Sequence, residues 1–343
     1  MQAIRVHPAP QGQPPYSPTN PAPVSALHLD TIPIPHPTKE GQILVKIKAS
    51  TVIRDTLAWP ETYAHEYITP GNDLSGTVVE VFSAGSSKFK PGDEVFGMAT
   101  ADHPATWAEY ALVLESEIAL KPEGLSWEEA AAVPLSGQTA FEALFVHGGV
   151  SVPTDDEEIL RNQSKDSPNP NANKVLITGA SGGVGVYLVQ LARLAGLHVT
   201  AATSGKARNE EFLLSLGADE TIEYGSLKEK QDSYDLVIDC VGGEPLVNAW
   251  NAVKSDGILI SVDSSSFNFV EEHTKQGIHR DGVKALFFIV EGTHAGLDTL
   301  TRFANLGILR VFVLQTYPLA NAREAYEHGN GRFTGRGKIV LSV

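Results

Sequence analysis

A short apolar run followed by four closely spaced glycines constrains this chain more than any other feature. Residues 175–178, Val-Leu-Ile-Thr, have the apolar, β-branched character of a buried parallel strand. Glycines follow at 179, 182, 183 and 185, and they permit a tight turn with close approach of the backbone to a ligand. From residue 184 the apolar positions recur with helical spacing until Gly196, which stands where a helix ends. Strand, glycine turn and helix together predict a diphosphate site at a helix N-terminus.

The next apolar run bears on the choice of cofactor. Residues 198–203 are predicted to be the second strand of a βαβ unit, and such units discriminate between NAD and NADP at the end of that strand. Residues 203–209, Thr-Ser-Gly-Lys-Ala-Arg-Asn, offer a hydroxyl and two cations there but no carboxylate. These groups suit the 2′-phosphate of NADP. The alternative is ordinary solvated charge at a helix start, although cations there oppose the helix dipole.

Composition excludes several classes of protein. The 343 residues include 26 Lys and Arg against 41 Asp and Glu, a formal charge of −15, which argues against nucleic acid or an anionic membrane as the main partner. The sequence has no run of about 18 apolar residues and its N-terminus lacks a signal-peptide core. Cys240 is the only cysteine, which rules out an intramolecular disulfide and a cysteine-rich zinc site. We therefore expect a soluble, cytoplasmic protein.

The chain changes character near residue 125. The first 120 residues consist mostly of short strand-like runs separated by turns, as in a small β-barrel. Ser126 and Glu129 then form a predicted capping box, and helices lead to the glycine motif. Further apolar runs at 235–240, 257–262 and 285–290 extend a doubly wound parallel sheet. The fold class is therefore α/β, and residues 337–343 close the chain as a strand that we assign to the barrel.

Residues 148–173 interrupt this pattern. The stretch is long, polar and rich in Pro and Asn. It predicts a mobile surface insertion, with a substrate lid or a partner contact as the functional alternative.

An ordered set of motifs resembles the medium-chain dehydrogenase/reductase superfamily, most of all its zinc-free quinone oxidoreductase and enoyl reductase branch, including fungal-type reductases. The motifs are Pro70–Gly76, Lys90–Val95, Ala130–Pro134, Gln138–Ala140, Gly179–Gly185, Leu216–Asp219 and Gly337–Val340. The resemblance implies a GroES-like β-barrel catalytic domain formed by residues 1–124 and 300–343. It also implies a Rossmann NADP-binding domain over residues 125–299, with the substrate in the cleft.

The same resemblance bears on metal. Zinc-dependent relatives carry a Gly-His-Glu motif where this chain has Gly71, Asn72 and Asp73, and they carry a four-cysteine lobe that is missing here. His65 and Glu66 could in principle ligate a metal, but because the cysteine ligand and the lobe are absent we expect none. Polarisation of a substrate carbonyl would then depend on hydrogen bonds.

Site residues follow from the resemblance by position. The diphosphate contacts are Ser181, Gly182, Gly183 and Val184. The 2′-phosphate contacts are Ser204, Lys206, Arg208 and Tyr224. The positions lining the nicotinamide and its ribose are Val241, Ser261 and Phe288, with Thr139 and Lys338 as further cofactor contacts. Relatives often carry Asn-Pro-x-Asp in the substrate loop; here Asp55 matches the aspartate, but Val52 replaces the asparagine.

These residues predict an NADPH-dependent oxidoreductase that transfers hydride to a small-molecule quinone or to an α,β-unsaturated carbonyl. Tyr63 falls where mitochondrial-type enoyl reductases carry a proton-donating tyrosine, so the α-carbon proton comes from Tyr63 or from water. Alternatively, Tyr63 is a pocket wall. The other functions considered are a trans-acting enoyl reductase of a biosynthetic pathway and a non-catalytic NADPH-binding protein. The apolar run at 285–290 predicts a homodimer that extends the sheet.

Overall fold

A computed structural model describes residues 1–82, 85, 87–164, 171–331 and 335–343. The strands are β1 (Gln2–Val6), β2 (Leu27–Thr31), β3 (Gln42–Val52), β4 (Asp73–Val81), β5 (Glu94–Met98), β6 (Tyr110–Leu114), β7 (Ile118–Leu120), β8 (Lys174–Ile177), β9 (His198–Thr203), β10 (Glu220–Glu223), β11 (Tyr234–Asp239), β12 (Val253–Ser261), β13 (Lys284–Phe287), β14 (Val313–Pro318) and β15 (Lys338–Ser342). The α-helices are α1 (Trp127–Ala132), α2 (Pro134–Phe141), α3 (Asp156–Ser164), α4 (Gly185–Leu194), α5 (Lys206–Leu216), α6 (Gly243–Ala252), α7 (Phe269–Lys275), α8 (His294–Asn305) and α9 (Ala322–Asn330).

The chain divides into two compact units. The first contains Met1–Leu135 and Glu291–Val343, and the second contains Ser136–Val290. The sequence predicted domain boundaries between residues 124 and 125 and between residues 299 and 300. The structure keeps α1 in the first unit because it packs on β3, β4 and β15. Helix α8 also belongs there, because it packs on β7.

The second unit is a parallel sheet with the strand order β10-β9-β8-β11-β12-β13. Chain order runs outward from β8 in one direction and from β11 in the other, so the winding reverses between these two strands. Helix α4 packs against both α3 and α5, while α6 and α7 share an apolar cluster with β11 and β12. This is the predicted doubly wound sheet, and ligands bind such sheets at the carboxyl ends of the strands beside the reversal.

The first unit is built on a largely antiparallel sheet with the order β14-β15-β3-β4-β5-β7, and β6 pairs with β3. The C-terminal strand β15 lies between β14 and β3, so the two ends of the chain share one sheet as the sequence indicated. A small antiparallel pair, β1 and β2, lies outside this sheet. The predicted capping box at the start of α1 is present: Ser126 Oγ accepts from the Glu129 amide at 3.1 Å, and the Glu129 carboxylate accepts from the Ser126 amide at 2.9 Å.

The segment 148–173 was predicted to be a mobile surface insertion. Its described part contains α3, with Ile159 fully buried and Asn162 Nδ2 donating to the Leu194 carbonyl at 3.0 Å. The buried Ile159 side chain and the hydrogen bond from Asn162 to the end of α4 both hold α3 against α4. Residues 165–170 of the predicted insertion lie outside the described residues.

The elements that the sequence did not predict include β10 and α9. Strand β10 is short and carries two glutamates, so it has little apolar pattern. Helix α9 is amphipathic but only nine residues long, with Ala322, Ala325 and Tyr326 as its buried positions. Strand β13 is shorter than the predicted strand at 285–290, because it ends at Phe287, and Ile289 beyond it is exposed. Among the helices that the structure describes, none combines the length and the apolar character that crossing a membrane requires.

Candidate functional site

The glycine turn lies between the end of β8 and the first residue of α4. Gly179 adopts a φ of +64°, and its carbonyl oxygen accepts a hydrogen bond from the Gly182 amide at 2.8 Å. A Cβ on Gly185 would lie 2.2 Å from that same carbonyl oxygen, so only glycine lets the helix start against the turn. Val184, which precedes α4, provides no side-chain cap for it. The start of α4 is therefore suited to an anion, which backbone amides and the helix dipole would stabilise.

Tyr224 lies beside this turn. Its hydroxyl oxygen accepts a hydrogen bond from the Gly179 amide at 3.1 Å. Burial raises the pKa of Tyr224 to about 12, so the phenol stays neutral at physiological pH and keeps its own proton to donate. The resemblance implied a 2′-phosphate contact for this residue, and the structure places its hydroxyl against the glycine turn.

A buried carboxylate joins the strands beside the reversal. Asp239, the last residue of β11, accepts hydrogen bonds from Thr178 Oγ1 at 2.6 Å, from the Gly242 amide at 2.9 Å and from Ser261 Oγ at 3.1 Å. Burial, together with the charge of Asp263, raises the pKa of Asp239. The three donors hold the ends of β8, β11 and β12 in one arrangement. Sequence reasoning missed Asp239, although an acid that ends an apolar strand before two glycines was an available signal.

The Asp263 carboxylate lies against the turn after β11. It accepts hydrogen bonds from Ser266 Oγ at 2.9 Å and from Ser265. Gly242 has a φ of +70°, and a Cβ there would lie 2.5 Å from Asp263 Oδ2. Val241, predicted to line the nicotinamide pocket, stands 36% exposed on this tightly held turn. Ser261, predicted for the same pocket, is fully buried and donates to Asp239.

The turn between β9 and α5 carries the residues predicted to bind the 2′-phosphate. Ser204 and Arg208 are exposed there, and Lys206 is half-buried. The Lys206 ammonium lies 3.3 Å from Glu210 Oε1. Asn209 is buried, and its Nδ2 donates to Thr203 Oγ1 at 2.8 Å. This bond fixes the end of β9 against the first turn of α5.

Two further predicted contacts lie elsewhere in the second unit. Thr139 is a buried residue of α2. Phe288 directly follows β13, and its ring centroid lies 4.4 Å from that of His147 at an interplanar angle of 41°. His147 ends the π-helix Glu142–His147, so Phe288 is braced by a ring from an irregular helical segment. Such single-turn irregularities often occur at functional sites.

Lys338 belongs to the first unit, at the start of β15, and it is 8% exposed. Its ammonium lies 3.3 Å from Oδ2 of the fully buried Asp73, which also accepts hydrogen bonds from Thr51 Oγ1 and from the Leu135 amide at 2.7 Å. Asp73 is the residue at the position of the glutamate in the zinc relatives' Gly-His-Glu motif. In this chain that carboxylate therefore pairs with a lysine.

Tyr63 is also in the first unit, where it packs against the apolar cluster around Leu57 and Tyr326. Its hydroxyl donates to the Leu57 carbonyl and accepts from the Ala22 amide at 2.8 Å. Burial raises the pKa of Tyr63. The hydroxyl thus joins two backbone segments of the unit, an arrangement that anchors the side chain.

Helix α9 holds the loop that carries Asp55. The Asp55 amide donates to Asn330 Oδ1 at 2.7 Å, and the Leu57 amide donates to the Tyr326 hydroxyl at 3.1 Å. Asp55 has a φ of +63°, a conformation that aspartate tolerates better than most residues but still adopts at a cost. Sequence reasoning missed Asn330 and Tyr326, because nothing near them in the sequence marks a partner 269 or more residues away.

The chain is similar to known proteins in both sequence and fold. Residues 39–123 match the alcohol dehydrogenase GroES-like domain family, and residues 216–341 match the zinc-binding dehydrogenase family. A probable zinc-binding oxidoreductase, mitochondrial, from Arthroderma benhamiae is 36% identical over 331 residues, which cover 94% of each chain. The NAD(P)H oxidoreductase RTN4IP1, mitochondrial, from Mus musculus is 30% identical over 310 residues, covering 80% of this chain and 70% of that protein. The structure of the quinone oxidoreductase from Coxiella burnetii superposes with a TM-score of 0.78 at 27% identity, covering 100% of this chain and 99% of that one.

A chain that combines a GroES-like unit with a doubly wound parallel sheet, with a glycine turn at the reversal of that sheet, is typical of one class of dehydrogenases and reductases. The chain belongs to the medium-chain dehydrogenase/reductase superfamily, in its quinone oxidoreductase branch, as its motifs indicated.

Two of these matches have zinc in their names, so the side chains that could ligate a metal bear on the comparison. In the part of the chain that the structure describes, no group of three or more His, Cys, Asp or Glu side chains is arranged to hold a metal ion. Asn72 donates its amide Nδ2 to the Ala99 carbonyl at 3.0 Å, and Asp73 is paired with Lys338. An ammonium group in that position is electrostatically opposed to a cation. The described residues therefore do not fit a zinc site of the kind that the family names imply.

Proposed function

We propose that the protein is an NADPH-dependent oxidoreductase that delivers hydride to a quinone or to an α,β-unsaturated carbonyl acceptor without zinc. The observation that supports this most is the turn in which Gly185 lets α4 begin against Gly179, at the reversal of a parallel sheet. The mouse relative's name, NAD(P)H oxidoreductase, and the bacterial neighbour's name, quinone oxidoreductase, support the cofactor class and the acceptor class.

The residues of the second unit would hold the cofactor in distinct ways. The turn over Ser181–Val184 would receive the diphosphate, because amides at a helix N-terminus stabilise an anion. When bound, the reduced nicotinamide supplies the hydride. The turn Val241–Gly243 and the side chain of Phe288 would contact the nicotinamide end. Asp239 positions that turn by accepting a hydrogen bond from the Gly242 amide, and the Asp263 carboxylate lies against Gly242.

We assign the proton that accompanies reduction of an enone to solvent, with Tyr63 anchoring the loop. The Tyr63 hydroxyl already bonds to the Leu57 carbonyl and the Ala22 amide, and its raised pKa opposes ionisation. Proton donation from this group would require both bonds to rearrange. Reduction of a quinone has the same requirement for protons from solvent.

The test is to measure loss of reduced-nicotinamide absorbance with an ortho-quinone, a simple enone and an enoyl thioester, each with NADPH and with NADH. We expect turnover with NADPH after exhaustive treatment with a chelator, and no zinc in the purified protein. The matched variants are Gly185→Ala, which blocks the turn, and Gly225→Ala, whose added Cβ meets nothing within 4 Å. Tight NADPH binding without turnover of any acceptor would refute the enzymatic role and favour a non-catalytic NADPH-binding protein.

We also propose a homodimer formed through β13, the edge strand of the parallel sheet. Lys284 of this strand is exposed, Ala285–Phe287 are half-buried, and Ile289 beyond it is 63% exposed. An apolar edge strand of this kind is suited to pairing with a second copy. Sedimentation should show a dimer at low micromolar concentration, and Ala285→Lys should convert it to monomer. A wild-type protein that sediments only as monomer would exclude this assembly.

Cytoplasmic location remains a prediction, since the Arthroderma and mouse relatives are both named as mitochondrial. Fractionation of cells that express the chain with a C-terminal tag tests it. Recovery with the mitochondria would refute it.

A further inference from the structure

A carboxylate of the chain itself occupies the start of α5. Glu223 ends β10, and its Oε1 accepts a hydrogen bond from the Lys206 amide at 3.1 Å. Gly205, the residue before the helix, has no side chain to cap it. The helix dipole stabilises an anion at this position. The Glu223 carboxylate therefore fills a place that another anion would otherwise take.

The position of Glu223 follows from the register of the sheet. Strand β10 runs parallel to β9, and Glu223 lies directly beside Thr203, the last residue of β9. The end of β9 is where dinucleotide-binding units that prefer NAD carry an acidic residue, which binds the ribose 2′-hydroxyl. The sequence from 203 to 209 has no such acid, but the neighbouring strand brings one to the same place.

The Lys206 side chain is also engaged by a carboxylate. Its Nζ lies 3.3 Å from Glu210 Oε1, and the same Glu210 oxygen accepts a hydrogen bond from Thr221 Oγ1 at 3.0 Å. The second contact directs Glu210 toward β10. Both the amide and the ammonium of Lys206 are thus paired with acidic groups of this chain.

We propose that Glu223 is a specificity-determining residue that lowers the preference of this protein for NADPH over NADH. A 2′-phosphate carries a charge of roughly −1.5 to −2, so it is repelled by a carboxylate at the same helix start. A 2′-hydroxyl has no such charge, and it can donate a hydrogen bond to Glu223. The inference rests on the proposed function, because it takes the turn between β9 and α5 as the site of the adenosine ribose.

The variant for the test is Glu223→Gln, and the readout is calorimetric binding of adenosine 2′,5′-bisphosphate and of 5′-AMP. Glutamine keeps an acceptor oxygen for the Lys206 amide and removes only the charge. We expect the bisphosphate to bind about twofold to fivefold more tightly, the range of a single anion's effect at a helix N-terminus. Binding of 5′-AMP, which lacks the 2′-phosphate, should not tighten. The ratio of KM values for NADH and NADPH should shift by a similar factor toward NADPH.

The control variant is Glu211→Gln, which removes an equal charge from an exposed position on the same helix. It should change the affinity for either nucleotide by less than about twofold, because Glu211 lies beyond the first turn of α5, where the effect of a charge on the helix dipole falls off. Glu223→Gln with an unchanged preference, or with equal changes for both nucleotides, would overturn the specificity role while leaving the cofactor proposal intact. A wild-type protein that binds neither nucleotide would overturn both.

Discussion

Replacing Gly185 by alanine tests whether the glycine turn is as crowded as its geometry requires. The added Cβ would lie 2.2 Å from the Gly179 carbonyl oxygen and 2.7 Å from Ala180 C and Cα. Real Cβ contacts essentially never fall below 3.0 Å, so the backbone must move by at least 3.0 − 2.2 = 0.8 Å. All three neighbours are backbone atoms, which cannot rotate away. Overpacking of this kind costs about 1–3 kcal/mol, and we expect the upper part of that range.

The sign of the stability change shows whether the added methyl group is crowded or free. Gly→Ala at a position without crowding stabilises a protein by about 0.4–1 kcal/mol through the unfolded state. Gly185→Ala should instead lower the melting temperature of the second unit by roughly 6–12 °C, since about 3 kcal/mol corresponds to such a shift for a unit of this size. Differential scanning calorimetry measures it, with Gly225→Ala as the uncrowded control. An unchanged or raised melting temperature for Gly185→Ala would refute the argument.

Three further predictions concern buried polar groups. Lys338→Met leaves the Asp73 carboxylate buried without its cation and should lower the free energy of unfolding, measured with a denaturant, by about 3–5 kcal/mol. The double variant Lys338→Met with Asp73→Asn should lose clearly less free energy of unfolding. Equal losses in the two variants would contradict the pairing. His273 accepts a hydrogen bond from Trp250 Nε1 at 2.8 Å, and burial lowers the pKa of His273 below 6.5. The stability that the neutral imidazole contributes is therefore present above about pH 6.5 and is lost as the pH falls through the folded-state pKa. His273→Gln should flatten that part of the curve of stability against pH, and an unaltered curve would contradict this. Tyr63→Phe should keep turnover within about twofold and lose about 0.5–1.5 kcal/mol of stability; a hundredfold loss of turnover at unchanged stability would restore the proton-donor role.

The parts of the fold that the sequence predicted share a strong local pattern. The run before Gly179 is apolar and β-branched, and the helix after it has a clear apolar face, so β8 and α4 follow from neighbouring residues alone. The capping box of Ser126 and Glu129 is equally local and was confirmed. Strand β10 had no such pattern, because an edge strand of four residues with two glutamates has little apolar surface to bury.

The parts of the site that sequence reasoning missed depend on register and on long-range contacts. The end of β9 lacks a carboxylate in the sequence, and only strand pairing shows that Glu223 lies beside Thr203. Asp73 and Lys338 are 338 − 73 = 265 positions apart, and they come together because β4, which begins at Asp73, and β15, which begins at Lys338, both pair with β3. The family resemblance assigned Lys338 to the cofactor, yet it carried no information about the carboxylate that pairs with it. A buried lysine requires an oppositely charged partner, but the residues around Lys338 in the sequence do not show which carboxylate that is.

The central claim is that the glycine turn holds a nicotinamide cofactor from which hydride passes to a conjugated or quinonoid acceptor. The most direct measurement uses NADPH that carries deuterium at the transferring position of the nicotinamide, with mass spectrometry of the reduced enone. We expect one deuterium on the β-carbon of the product and a proton from solvent on its α-carbon. We also expect Gly185→Ala to lose the reaction and Gly225→Ala to retain it. Product without deuterium, or equal reaction in both variants, would contradict it.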